Sequence, residues 1–366
     1  MTIAINLTNL VSGCNKEKIF SQFESLAANR ASDQFIFIVT RKQFVPTAGN
    51  NIIVTRSGPP ANTSLLRKIW YDFTLPALVK KFNAAIVIHT DVLCSMWTSV
   101  PQYLFIDNGL SFLKRESKKQ NIPSQKLIKA SLTKATAIIT ATQSLLEEIS
   151  GQYKIEKDKF TTVPLIIPTY YKPLNWDEKE QVKEKYAGGK EYFLFIGDIN
   201  AQSNLVNFLK AFSFFKKRQK SNMQLLIISP PVNTKNDFIE SLKTYKYRDE
   251  VILQQGIPEH ETAQILAAAY AFVYPVLFDP FPLFPLQALQ CETPSILADL
   301  PAFHEIAGES AVYIQPGNVD DIAQKMMLLF KNEKERNELI KTGKAIMFRY
   351  RQANGADLLW KAISPL

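Results

Sequence analysis

The chain contains no apolar run close to the roughly 20 residues that a bilayer-spanning helix needs. Its first segment, MTIAINLTNLVSG, lacks the basic residues of a secretory leader and reads as a strand. Cysteine is scarce: Cys14, Cys94 and Cys291 are odd in number and widely spaced, which argues against a disulfide framework or a metal knuckle. A reducing cytoplasm is therefore the expected compartment. Three isolated histidines argue equally against a histidine-built metal centre. Glycine signatures for phosphate are missing too, since neither G-x-G-x-x-G nor a Walker sequence occurs.

Of the 366 residues 46% are hydrophobic, enough for a packed core at a length that favours two domains. The formal net charge of +9 is unevenly spread. Residues 1–171 hold 20 Lys and Arg against 11 Asp and Glu, whereas 172–366 hold 23 against 23. A local peak lies at LKRESKKQNIPSQKLIKASLTK, 113–134. Such a segment suits an anionic membrane surface or phosphorylated substrates, and a merely solvated helix face is an equal reading. Nucleic acid is not expected as a partner, because no aromatics are interleaved with the charges and no groove-reading motif occurs.

Strand-like runs fall at 2–7, 34–40, 51–56, 84–90, 101–107, 137–140 and 160–165, with helix patterns at 15–31 and 65–82 among them. The alternation resumes after a polar, proline-marked stretch at 166–180. Strands follow at 191–197, 223–229, 250–255, 271–276, 294–299 and 311–316, with helices at 204–219, near 234–245 and at 261–270. The strands are continuous β-branched runs rather than strict alternations, as in a parallel sheet covered on both faces. Repeated βα units of this kind predict an α/β chain of two doubly wound, Rossmann-like domains, with ligands beyond the carboxyl ends of the strands. The expected division is 1–168, a linker at 169–189, 190–345, and a C-terminal helix at 346–366 crossing back to the first domain.

Three stretches are placed to meet a ligand. Gly13 lies in the turn after the first strand, where backbone N–H groups at a helix start attract phosphate, although a plain βα turn is the more frequent reason for one glycine. Gly197 ends the first strand of the second half, and Asn204 stands where it could cap the next helix. That loop offers no Arg or Lys. The third stretch is FDPFPLFPLQALQCETPSI, 278–296. Pro280 and Pro282 stiffen its loop, Pro285 suits the first turn of a helix, and Asp279 precedes Gln287 by eight positions. Either the pair faces a common ligand, or Gln287 is an ordinary helix residue and the prolines only stop a strand.

Residues 251–326, extended upstream through 192–218, 135–164 and 67–89, resemble glycosyltransferase family 4 (glycosyl transferases group 1). The resemblance implies the GT-B fold, two Rossmann-like domains facing across a cleft, with a nucleotide-sugar held mainly by the second. It implies a retaining, metal-independent sugar transfer to a glycan or lipid-linked acceptor, with no cofactor beyond the nucleotide-sugar substrate. Asp279 and Gln287 occupy the family's two glutamate positions, so Asp279 would contact the transferred sugar and Gln287 the ribose. Pro282, Leu283 and Phe284, with the Gly13 and Gly197 loops and Asn204, would line the diphosphate. Asp107 is the acidic candidate on the acceptor side. The family's diphosphate-gripping Arg and Lys are replaced by Gln202 and Ser203, its contact glycines by Pro280 and Pro282, and its first-domain histidine by Ile106. Two readings follow: a divergent glycosyltransferase, or a GT-B pseudoenzyme serving as a partner or glycan-binding subunit. Location is expected to be cytoplasmic, peripheral to the inner membrane face.

Overall fold

The computed structural model describes residues 1–8, 15–41, 49–58, 64–106, 124–231, 237–352 and 355–364. The Gly13 turn, Asp107 and residues 113–123 of the basic segment lie outside this set. The chain divides into two units, Met1–Ile166 with Ala353–Leu366, and Ile167–Gln352.

The first unit begins β1 (Thr2–Asn6), α1 (Asn15–Ala28), β2 (Gln34–Val39), β3 (Ile52–Arg56), α2 (Ser64–Ile69), α3 (Leu75–Lys81) and β4 (Ile86–His89). It continues with β5 (Gln102–Ile106), α4 (Gln125–Lys134), β6 (Ala137–Thr140), α5 (Gln143–Tyr153) and β7 (Phe160–Thr162). All pairings are parallel in the order β3-β2-β1-β4-β5-β6-β7. The sheet is covered on both faces: Ile3, Ile5, Phe35, Phe37, Ile86 and Ile88 on one side and Ile36, Ile38 and Val87 on the other are at zero exposure. That is what the unbroken β-branched runs require.

The second unit holds α6 (Trp176–Ala187), β8 (Tyr192–Ile196), α7 (Leu205–Gln219), β9 (Gln224–Ser229), α8 (Asp237–Lys243), β10 (Val251–Gln255) and α9 (Glu259–Ala268). Then come β11 (Ala271–Tyr274), α10 (Leu283–Gln290), β12 (Ser295–Ala298), α11 (Pro301–Ala307), β13 (Ala311–Ile314), α12 (Val319–Lys331) and α13 (Glu333–Gln352). Its sheet runs β10-β9-β8-β11-β12-β13, again parallel, so the order reverses between β8 and β11. Loops after those two strands form the topological switch point where such folds take ligands. The last helix, α14 (Gly355–Ile363), belongs to the first unit and packs on α1 and β6. Gly355 permits that docking, because a Cβ there would sit 2.5 Å from the Pro164 carbonyl oxygen.

Two segments differ from the sequence expectation. The helix pattern at 65–82 is interrupted by a π-turn at Trp70–Thr74, whose Leu75 N–H reaches the Trp70 carbonyl. Pro76 follows immediately, and widening the turn keeps its ring off the preceding carbonyls. Within the expected linker at 169–189, residues 176–187 form α6, with Val182 and Tyr186 buried against the unit that includes α9. The missed signal is a capping box: Asn175 Oδ1 accepts the Glu178 N–H at 2.9 Å while Glu178 Oε2 accepts the Asn175 N–H at 2.8 Å.

At the carboxyl ends of β1 and β4 the first unit carries a buried polar chain. Asn6 Nδ2 donates to Tyr71 Oη at 3.1 Å and meets His89 Nδ1 at 3.3 Å. His89 Nε2 meets Gln102 Oε1 at 3.0 Å, Gln102 Nε2 donates to the Ser95 carbonyl at 2.8 Å, and Tyr71 Oη donates to Asp91 Oδ2 at 3.1 Å. Burial lowers the His89 pKa to about 4, with the Gln102 contact opposing in part, so the ring is neutral at pH 7. Its folded-state pKa lies below the unfolded value, so its contribution is complete above the unfolded pKa and is lost as pH falls through the folded one. On descending to about pH 4 the chain should lose roughly 3 kcal/mol from this ring. Urea unfolding at neutral and acid pH tests this: His89→Gln should show a flatter pH dependence than the unaltered chain, and equal slopes would contradict it.

Candidate functional site

Three loops of the second unit, after β8, β11 and β13, are sewn together by hydrogen bonds to their backbones. Leu277 N–H donates to the Gln202 carbonyl at 2.8 Å, joining the β11 loop to the β8 loop. Asn204 Nδ2 donates to the Pro275 carbonyl at 2.9 Å and to the Pro316 carbonyl at 2.5 Å, adding the β13 loop. Asn204 stands at the start of α7 in the left-handed region at φ 57°, and its side chain makes no capping bond. The expectation of a helix cap is thus corrected: the amide is committed to the two loop carbonyls. Asparagine tolerates this backbone where most residues are strained. Asn200 instead caps the short turn 201–203, and Ser203 Oγ donates to the Asp198 carbonyl.

Asp279 is held on this framework. Tyr274 Oη donates to its Oδ2 at 2.9 Å, and the Phe281 N–H donates to its Oδ1 at 2.9 Å. Tyr274 is 5% exposed and meets the rings of Phe195, Phe272, Phe284 and Phe303 at centroid distances of 5.4 to 5.8 Å. Its hydroxyl therefore sits on a rigid aromatic stack. Gly197 ends β8 beside the same stack: a Cβ there would lie 2.9 Å from the Phe195 ring. Tyr274 went unread in the sequence, because a tyrosine ending a buried strand looks like core until its hydroxyl partner is known.

The start of α10, expected from the sequence to line the diphosphate, offers few backbone donors. Leu283 N–H is spent on the Phe281 carbonyl at 2.7 Å, Leu286 N–H reaches the Pro282 carbonyl at 3.3 Å, and Pro285 has no N–H. The side chains of Pro282, Leu283 and Phe284 are buried rather than presented to solvent. Residues 197–204 and 275–287 contain no Lys or Arg.

Gln287 is wholly buried, at 0% exposure, on a helix whose residues Leu283–Leu289 are all buried. Its amide nitrogen and oxygen both lack a hydrogen-bond partner among the described residues. An amide buried in this way forfeits about 1–3 kcal/mol for each unmet group, which native cores rarely tolerate without a water or ligand. The structure thus groups Gly197, Asn204 and Asp279 on one interlocked set of loops and places Gln287 inside, about one turn along the attached helix. Gly13 and Asp107 lie outside the described residues.

Next to the Pro316 loop is an open cavity of about 390 Å³, lined by Asp299, Tyr313, Gln315, Asn318, Gln324 and Lys325 among others. Some of its polar groups already have partners: Asp299 Oδ1 meets His304 Nε2 at 2.6 Å, and Asn318 Oδ1 accepts the Asp321 N–H at 3.1 Å. Among the described residues no cluster of three or more His, Cys, Asp and Glu is placed to hold a metal ion.

Replacing Asn204 tests the loop framework. Asn204→Ala removes two bonds to buried carbonyls and strains a left-handed residue, so a loss of about 2–4 kcal/mol is expected. Asn204→Gly relieves the strain alone and should retain about 1 kcal/mol more, as measured by thermal denaturation. Equal losses would remove the backbone part of the argument.

Residues 177–346 match the family described as glycosyl transferases group 1. An O-antigen chain mannosyltransferase of Salmonella typhimurium is 24% identical over 265 residues, covering 70% of this chain and 69% of that protein. In fold the chain is similar to WaaG, a glycosyltransferase involved in lipopolysaccharide biosynthesis, with TM-score 0.76, 13% identity and 94% of each chain covered. It is also similar to HepE from Anabaena, solved with UDP and glucose, with TM-score 0.77, 10% identity and 100% of both chains covered.

Proposed function

We propose that this chain carries a hexose from a nucleotide-sugar to a surface-glycan acceptor, free or lipid-linked: residues 177–346 match the glycosyl transferases group 1, and the two Rossmann-like sheets are those of the GT-B fold. Mannose is the first candidate, from the mannosyltransferase relative. The observation that carries the reading is the unpartnered amide of Gln287, buried eight positions beyond Asp279. A nucleotide ribose offers hydroxyls that both donate and accept, which is what that amide lacks.

Asp279 is the group proposed to contact the transferred sugar. The Tyr274 hydroxyl and the Phe281 N–H orient the carboxylate before substrate arrives. Gly197 leaves the β8 turn without a side chain, so a diphosphate can approach the backbone. Gly13 and Asp107 enter the proposal from sequence alone, as a second phosphate-facing turn and the acceptor-side acid. Transfer is proposed to be retaining and metal-independent, as the family resemblance implies. The departing diphosphate then needs positive charge or N–H donors from the protein, and each lost preorganised donor costs roughly 3–4 kcal/mol of barrier. Peripheral contact with an anionic membrane at the cytoplasmic face completes the proposal; Lys126, Lys129 and Lys134 of α4 are the exposed cations in the described part of 113–134.

A second reading has an observation of its own. The 197–204 and 275–287 loops lack cations, and the start of α10 has spent N–H groups, which favours a subunit that binds a nucleotide or glycan without turnover.

Calorimetric titration with GDP, UDP and their mannose and glucose derivatives, followed by assay of released diphosphate, separates the two. Binding with turnover supports the enzyme, binding without turnover the second reading, and neither outcome with any nucleotide defeats both. Gln287→Met keeps volume and removes the unmet polar groups. It should raise stability by about 1–2 kcal/mol while weakening nucleotide binding about 10-fold or more. Unchanged affinity would detach Gln287 from the site. Asp279→Asn should lower kcat about 100-fold or more with little change in nucleotide affinity. Chelator treatment should leave activity intact, and the product should retain the donor's anomeric configuration by NMR.

A further inference from the structure

The solvent side of the α2–π-turn–α3 segment exposes large apolar side chains where a surface helix is ordinarily polar. Its inner face is formed by Trp70, Tyr71, Leu75 and Val79, all buried. On the outer face Ile69 is 44% exposed and Phe73 57%, and the neighbouring Trp97 is 68% exposed. Phe73 and Trp97 are in ring contact, with centroids 5.1 Å apart. The outer side thus carries large exposed apolar side chains among its lysines, which packing of the core does not explain.

The pair is built rather than incidental. Asp72, buried at 6% exposure, accepts the Met96 N–H at 2.9 Å, so the residue before Phe73 holds the residue before Trp97. Ser95 Oγ then accepts the N–H groups of Trp97 and Thr98, each at 3.2 Å. The π-turn widens the helix at Trp70–Thr74, where the exposed phenylalanine projects.

The charge around the pair has one sign. Lys68, Lys80 and Lys81 are exposed, and no ion pair of theirs occurs among the described residues. Lys80 lies seven positions beyond Phe73, two helical turns along the same face. Asp72 is the sole acidic residue from 64 to 90, and it is turned inward. Exposed paired aromatics with lysines on the same segment are the composition that enters the headgroup boundary of an anionic bilayer. A second copy of this chain is a poorer occupant, because two such faces would bring like charges together in a protein of net charge +9.

We propose that Phe73 and Trp97, with Ile69 beside them and Lys68, Lys80 and Lys81 around them, form the surface by which the first unit inserts into an anionic lipid interface. This deepens the membrane contact proposed above by naming the inserting side chains, and it does not depend on sugar transfer. The test is co-sedimentation of the full chain with vesicles of phosphatidylcholine alone and with an equimolar mixture of phosphatidylcholine and phosphatidylglycerol. The unaltered protein should sediment with the mixed vesicles only, and high salt should reduce the bound fraction. Phe73→Ser/Trp97→Ser should weaken that binding about 10-fold or more, and Lys68→Glu/Lys80→Glu/Lys81→Glu by a similar factor. Both sets are exposed, so circular dichroism and nucleotide titration should match the unaltered chain, which keeps failure here distinct from failure of the glycosyltransferase reading. Equal sedimentation of the aromatic variant overturns the proposal, as does no binding to either vesicle. A self-associated state abolished by the aromatic substitutions would assign the face to a second copy instead and overturn it equally.

Discussion

Asn204 holds together what the second unit offers to a ligand. Its one side-chain amide reaches the carbonyl after β11 and the carbonyl after β13 from the start of α7. Parallel strands end in loops that share no ladder with each other, so strand-end geometry must be imposed from outside the sheet. An asparagine does this at short range: it adopts a left-handed backbone and carries two N–H donors on a stiff amide. With that tie in place, Leu277 can close on the Gln202 carbonyl, and the segment bearing Asp279 leaves β11 in one direction. Tyr274 then fixes the carboxylate itself, its ring locked among four other aromatics.

The same region shows where electrostatics and packing disagree. Positioning is well developed, yet the loops around it carry no cation and the helix start has few N–H groups to give. Gln287 has the opposite imbalance, a buried amide with both ends unmet. A site that leaves one polar group waiting inside while lacking charge outside is suited to recognising neutral hydroxyl-bearing parts of a ligand more readily than its phosphates. In the proposed sugar transfer, stabilising a departing diphosphate would fall to groups beyond these two loops.

The first unit is arranged on a different principle. Its interior polar chain from Asn6 through His89 to Gln102 is satisfied at nearly every step, and burial keeps the histidine neutral. Polar groups there organise the strand ends instead of awaiting a partner. The unsatisfied element is on the outside, where Asp72 and Ser95 hold two aromatic rings in water.

Local order was plain in the residues. Each strand-like run became a strand within a residue or two at its start, because continuous β-branched sequence has no stable place except a sheet covered on both faces. The stretch at 278–296 declared itself through its prolines, and Asp279 was correctly located on a loop beyond a strand. What could not be read was the use of side chains whose partners are remote in sequence. Asn204 looked like a cap, Tyr274 looked like core, and nothing along the chain showed that Gln287 is wholly buried with its amide unmet. Residues 176–187 looked like linker because the capping box that starts their helix is a pair of polar side chains in a polar stretch. Two α/β sheets, their parallel sense and the candidate loops follow from periodicity and turn chemistry, which act between neighbours along the chain. That Asn204 is scaffold, that Gln287 is buried and unmet, and that Phe73 meets Trp97 emerge only on folding, since they depend on which distant backbone and side-chain groups arrive within hydrogen-bond or van der Waals reach.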